Sequence, residues 1–250
     1  MKKIVVGLST IPSRFNKLKS TLDSLHNQSR KPDKIYLHIS DYYRRFKIQT
    51  NLKSLPPYLS EYNLLSVKIG EDYGPISKLF VSLQNEPDNN TIIVTCDDDM
   101  IYGEHWLENI EKHSNRLPNC AVGYRGRIFG KDLNYKNTQC IISKNLTQDA
   151  EVDIVTAVRG WAYPKKLFDN NYISRWQKTK DTHPFIFFND DIWISGTLAE
   201  INIKKIVFNN TPFCSSVRHL ENSLLKLKDQ NEKTNMHLQL FKNSWNKSAR

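Results

Sequence analysis

No run of about 18 consecutive apolar residues occurs in this chain, so the sequence holds no candidate membrane-spanning helix. The opening stretch 1–9 has two lysines and a short apolar run. It is too short for the apolar region of a secretory leader and has no small-residue cleavage site, so a cytoplasmic setting is expected. The four cysteines, Cys96, Cys120, Cys140 and Cys214, form no C-x-x-C pair. That argues against a zinc site or a disulfide framework and for reduced thiols. No internal repeat and no long low-complexity tract is present. With 39% apolar and 25% charged residues, disorder throughout is excluded. The 250 residues suit a single domain, one that buries about three quarters of its unfolded surface. The net charge of +10 favours an anionic partner such as a nucleotide, a phosphorylated lipid or a membrane surface.

The first 115 residues alternate strand and helix. Residues 3–9 (KIVVGLS) read as a buried strand ending in the turn Thr10-Ile11-Pro12-Ser13. Phe15, Leu18, Leu22 and Leu25 then form a helical stripe. Residues 34–40 read as a second strand, 42–57 as a loop with a short helix, and 64–69 as a third strand. Residues 75–84 read as a helix opened by proline. Residues 91–96 form a fourth, strongly apolar strand, and 103–115 a helix. This order predicts a parallel α/β sheet with right-handed crossovers, whose ligands bind beyond the carboxyl ends of the strands.

The second half reads differently. Residues 121–124, 140–143, 153–158 and 206–208 are short apolar segments with no regular helices between them. They predict mixed or antiparallel strands packed on the first sheet. A helix is expected after Asn189-Asp190-Asp191, up to about residue 200. From His219 on, Leu220, Leu224, Leu227 and Leu238 stand among lysines. They suggest an amphipathic helix and a frayed tail, with possible peripheral contact to an anionic membrane.

Several residues could carry chemistry. Asp97-Asp98-Asp99 ends the fourth strand. Three adjacent carboxylates resist burial unpaired, and a divalent cation would relieve their repulsion. Mg²⁺ and Mn²⁺ prefer such oxygen ligands, completed by substrate phosphates. The bland alternative is a solvated loop with helix-capping aspartates. Pro12-Ser13-Arg14 sits where a nucleotide could lie, or serves as a turn with Ser13 as helix cap. Lys78 stands near a helix start and could face an anion. Asn189-Asp190-Asp191 offers a general base at a helix start, or plain capping. Gly160-Trp161 offers a turn and an aromatic face for a sugar ring, or core packing. His219 offers a nitrogen ligand to the same metal.

At these residues the chain resembles the GT-A class of nucleotide-sugar glycosyltransferases. It is similar in layout both to family 2 and to the exostosin-like branch. The resemblance covers about residues 3–200 and rests on the order of its parts. These are the Thr-Ile-Pro-Ser-Arg turn with P-x-x-I-x-L at residues 32–37, Gly74-Pro75…Lys78, a strand-terminal D-D-D similar to the class's DXD motif, and the late Gly160-Trp161 and Asn189-Asp190-Asp191. It implies a single GT-A-like domain with a Rossmann-like, mostly parallel sheet flanked by helices and a smaller mixed or antiparallel part. Residues 1–115 would bind the nucleotide, 116–218 the acceptor, and 219–250 would form a basic helix and tail.

The resemblance also implies a metal-dependent transferase. It would move sugar from a nucleoside-diphosphate sugar, UDP-linked, to a hydroxyl of a carbohydrate, lipid-linked or protein acceptor. No nucleic-acid partner is implied. Thr10, Pro12, Arg14, Lys78, Asp97 and Asp98 would bind the donor, and Gly160 and Trp161 the acceptor. Asp99, Asp97 and His219 would hold Mn²⁺ or Mg²⁺. Asp190 or Asp191 would take the acceptor proton if configuration inverts, or stabilise an oxocarbenium-like state if it is retained. Rival readings are a nucleotidyltransferase, a two-metal nuclease and a non-catalytic calcium or carbohydrate module. A nucleotidyltransferase would usually show a glycine-rich loop near the start, whereas residues 9–15 contain no glycine.

Overall fold

The computed structural model describes residues 2–209, 214–216 and 230–245. In chain order the regular elements are β1 (Ile4–Thr10), α1 (Phe15–His26), β2 (Lys34–Ser40), β3 (Tyr42–Tyr43), β4 (Ile48–Gln49), β5 (Leu65–Gly70), α2 (Ser77–Asn85), β6 (Ile92–Thr95), β7 (Met100–Tyr102) and α3 (Trp106–Arg116). The second half adds β8 (Ala121–Gly123), β9 (Arg125–Ile128), β10 (Gln139–Ile142), β11 (Ala150–Glu151), β12 (Ile154–Val155), β13 (Trp161–Pro164), α4 (Tyr172–Thr182), α5 (Asp190–Glu200), β14 (Lys205–Val207), β15 (Cys214–Ser216) and α6 (Gln230–Leu240).

Eight strands form one sheet in the order β11-β14-β8-β13-β6-β1-β2-β5. β6, β1, β2 and β5 run parallel; α1 links β1 to β2 and α2 links β5 to β6, while β2 reaches β5 through the β3–β4 hairpin and 3₁₀ turns. Strand order reverses at β1, which sits between β2 and β6. That reversal opens a crevice between the carboxyl ends of β1 and β6, the usual ligand position in such sheets.

β13 enters antiparallel to β6 and brings strands of the second half into the main sheet. A smaller antiparallel sheet, β10-β9-β12, stands beside it. The two sheet faces bury separate cores. Ile4, Val6 and Leu8 of β1 point to the face covered by α1, whose Phe15, Leu18, Leu22 and Leu25 are all buried. Val5 points to the opposite face, where Phe80, Trp176 and Trp193 meet edge to face.

Two expectations change. The second half does carry a further helix, α4, anchored by Tyr172 and Trp176. The apolar run at 185–188 forms a 3₁₀ turn, Pro184–Phe188. Residues 42–57 include a short β3–β4 hairpin besides a 3₁₀ turn. His219, Leu220, Leu224 and Leu227 lie outside the described residues, while Leu238 is fully buried on α6. Among the described residues no helix is long and apolar enough to cross a membrane.

Candidate active site

A cavity of about 740 Å³ opens at the reversal point. Its walls include Thr10 and Arg14 after β1, Asp97, Asp98 and Asp99 after β6, Lys78 on α2, and Asp190 and Asp191 at the start of α5. The volume lies within the range of small-molecule and cofactor sites.

The three adjacent aspartates separate by role. Asp98 is 4% exposed. Its Oδ2 accepts from Thr10 Oγ1 at 2.7 Å and its Oδ1 from Arg14 at 2.5 Å. Burial raises its pKa, and the Arg14 charge and these two donors oppose that rise. Asp98 lines the cavity, and both of its oxygens are engaged in tying the turn after β1 to the end of β6. Asp97 and Asp99 keep about a quarter of their side chains exposed to the cavity. Asp99 is pushed up to about 6, by desolvation first and then by the Asp97 and Asp98 charges. Arg14 lies 3.8 Å from Asp99, too far for a hydrogen bond.

Lys78 joins the two ends of the cavity. Its ammonium donates to Asp97 Oδ1 at 2.9 Å and lies 2.9 Å from Asp190 Oδ2. The second contact is an ion pair without hydrogen-bond alignment, which leaves the buried Asp190 Oδ2 with no donor. Burial acts to lower the Lys78 pKa, but the Asp190 and Asp97 charges outweigh it and hold the ammonium well above its usual range. Gly7 makes this placement possible. A Cβ there would sit 2.0 Å from the Lys78 carbonyl oxygen, so α2 can pack this close to β1 only over glycine.

Asp191 accepts a hydrogen bond from the Ala157 backbone N–H at 3.0 Å. It keeps some exposed surface, yet sits deep enough that desolvation, with Asp190 beside it, pushes it up to about 8. The expected helix caps are absent. Asn189 is the N-cap of α5, but its side chain caps nothing and donates to Thr234 Oγ1 on α6 at 3.0 Å. Arg14 rather than Ser13 is the N-cap of α1, again with no side-chain cap.

Other expected site residues fall elsewhere. Pro12 opens a 3₁₀ turn and is not on the cavity wall. Gly160 and Trp161 do not line the cavity either. Trp161 is fully buried, and its Nε1–H donates to the Arg125 carbonyl at 2.6 Å, so its ring has no face left for a sugar. Gly160 has φ +94°, and a Cβ there would meet the Trp106 ring at 2.4 Å; it is a turn glycine.

Sequence reasoning missed Arg125, Tyr135, Phe187, Phe188, Asn231 and Thr234, all of which line the cavity. The aromatic pair directly before Asn189-Asp190-Asp191 was a signal that could have been used. The others arrive through antiparallel pairings and α6 docking, which leave no local pattern.

Asp97 and Asp99 offer only oxygen donors, which suits Mg²⁺ or Mn²⁺. Among the described residues no group of three or more His, Cys, Asp or Glu side chains is disposed to hold a metal ion. A divalent ion here would therefore need phosphate oxygens and water beside the two carboxylates.

No family model matches the chain, and no curated protein matches its sequence. Solved structures do match its fold. GalNAc-T7, crystallised with UDP, GalNAc and Mn²⁺, superposes with a TM-score of 0.63 at 11% identity over 88% of this chain. This chain spans 45% of the GalNAc-T7 chain. The 2-C-methyl-D-erythritol 4-phosphate cytidylyltransferase of Francisella tularensis superposes with a TM-score of 0.51 at 13% identity, over 95% of this chain and 100% of its own. The fold is thus the GT-A-like Rossmann arrangement, shared by a glycosyltransferase and a nucleotidyltransferase.

Proposed function

We propose that the protein is a divalent-metal-dependent glycosyltransferase that takes a nucleoside-diphosphate sugar and passes its sugar to an acceptor hydroxyl. The observation that carries this reading is the division of the cavity. Two part-exposed carboxylates, Asp97 and Asp99, end β6 at the reversal point, and Asp190 and Asp191 line the same cavity from α5.

Asp97 and Asp99 would hold the ion, which when bound supplies positive charge against the departing diphosphate. Thr10 and Arg14, locked on Asp98, fix the turn on which the nucleotide would rest. Asp191, oriented by the Ala157 N–H, would take the acceptor proton in an inverting reaction. Its raised pKa brings it close to working pH, where a general base is most effective. Lys78 sits between Asp190 and Asp97 and offsets one of their two negative charges, which eases the deprotonation of Asp191 beside them. Aligned on one rigid frame, these groups would hold donor and acceptor for in-line attack.

The cytidylyltransferase likeness keeps a second reading in play, since it covers both chains almost fully. Against it stands the turn after β1, which has no glycine and commits Arg14 to Asp98. One assay separates the two. With Mn²⁺, a glycosyltransferase releases UDP from UDP-sugars, and a nucleotidyltransferase releases pyrophosphate from CTP or UTP with a sugar or polyol phosphate. UDP release that disappears in Asp99→Ala supports the first reading. Pyrophosphate release alone defeats it.

A further inference from the structure

We infer that the acceptor is anionic, a sugar bearing a carboxylate or phosphate, and that Arg125 receives this group. The inference rests on the glycosyltransferase reading above and deepens it.

The cavity's other cations are engaged: Arg14 is bound to Asp98, Lys78 lies between Asp97 and Asp190, and Arg45 lies over the Phe46 ring at 5.1 Å. Arg125 also lines the cavity, half-buried, yet it makes no ion pair among the described residues. Its Nε–H reaches Cys140 Sγ at 3.4 Å, and a thiol sulfur is a weak acceptor. Its guanidinium thus has no charge-matched partner among the described residues, and its planar donors match carboxylate or phosphate.

Its position selects the acceptor end. The Arg125 carbonyl accepts from Thr156 N–H at 3.2 Å and from Trp161 Nε1–H at 2.6 Å. The residue after Thr156 is Ala157, whose N–H holds Asp191. Arg125 is thus anchored to the same short turn that orients the base. The cations acting on Asp99 at the donor end are instead Arg14 and Lys78. Next to Arg125, Arg127 stacks over the Tyr135 ring at 4.7 Å and spends its Nε–H on Thr138 Oγ1 at 2.5 Å. Tyr135 is pinned in turn by Asn235 of α6, which accepts from its backbone N–H at 2.7 Å. This corner is therefore rigid, aromatic and basic, and it suits a sugar ring that carries a negative charge.

Calorimetric titration of the full chain tests the inference. A hexose 6-phosphate, a hexuronate, the matching neutral hexose and inorganic phosphate would each be titrated with and without saturating UDP and Mn²⁺. At least one sugar acid should bind ten times or more tighter than the neutral hexose. Arg125→Ala should remove most of that difference, and Arg125→Lys should keep part of it, with the UDP·Mn²⁺ affinity within about twofold of wild type in both. The two sugar acids separate a phosphate from a carboxylate ligand. Equal binding of neutral and anionic sugars overturns the inference. So does inorganic phosphate binding as tightly as the hexose phosphate, which would mark a bare anion site. A matching loss of UDP affinity in Arg125→Ala also overturns it and moves Arg125 to the donor. Failure of UDP to bind at all counts against the glycosyltransferase reading, and the arms without UDP still read Arg125 directly.

Discussion

The two walls of the cavity are built from different material. The wall we assign to the donor follows the parallel strands β1 and β6, and its charges answer one another. Asp98 is saturated by Thr10 and Arg14, and Lys78 donates to Asp97. The wall we assign to the acceptor stands on the antiparallel strands β9 and β12 and on a 3₁₀ turn. There Asp190 meets Lys78 in an ion pair at 2.9 Å, Asp191 is held at a raised pKa, and Arg125 has no carboxylate partner among the described residues. A frame that is complete without ligand fixes geometry. A wall with unmatched charge is the place where a ligand changes the energy most.

The sharpest way to break this contrast is to remove a donor-wall group that the frame does not need. Asp99 is part-exposed, and its nearest cation is 3.8 Å away. Asp99→Ala should lower Mn²⁺-dependent UDP release by about 10³-fold, with the melting temperature nearly unchanged. Assays of UDP release and a thermal melt on the same sample check both halves. Wild-type-like turnover would remove the metal role.

On the acceptor wall, Asp191→Asn should cost about 10²-fold in turnover while UDP affinity stays within a few fold, the pattern of a lost base. The wild-type pH profile carries the sign. A base held near pH 8 is protonated below that pH, so turnover should climb from pH 6 to pH 8. Asp191→Asn should flatten that limb. A defect confined to donor binding would reassign the residue.

Asp98 supplies the opposite case. Asp98→Ala leaves the half-buried Arg14 without its main counter-ion, and such losses cost about 3 kcal/mol. Urea unfolding should show that loss. Asp98→Ala/Arg14→Met together should cost less than the sum of the two single changes, because the stranded charge goes too. An additive result would show that the pair does not anchor the turn.

These contrasts explain what the sequence disclosed. β1, α1, β2 and β6 were legible because burial on both faces writes continuous apolar runs and a helix writes a 3.6-residue stripe. The cluster Asp97–Asp99 was legible because it interrupts such a run at the ligand edge. Sequence alone could not assign separate roles to its three members, since adjacent side chains in a turn diverge and only packing sends Asp98 inward. Trp161 misled for a related reason. An aromatic next to a glycine turn has the same local pattern whether its ring faces a ligand or Gly123. Arg125 left no signal, because an antiparallel neighbour far along the chain sets its place.

The smallest expected effect concerns α6, whose Asn231 and Thr234 line the cavity. His237 is 4% exposed and held down to about 4, by burial first and by the His183 charge second. Its Nδ1 faces the Asn189 amide nitrogen at 3.4 Å, a contact that needs the neutral ring as acceptor. An unfolded histidine titrates near 6.5, so folding must keep a proton off. The stability from this group is complete above about pH 6.5 and drains as pH falls toward 4. Between pH 7 and pH 5 the loss comes to about 2 kcal/mol at most. Urea unfolding at the two pH values should therefore show a larger drop for wild type than for His237→Gln. Equal drops would mean that α6 stays docked by Leu238 and Phe241 alone, with no contribution from a neutral His237.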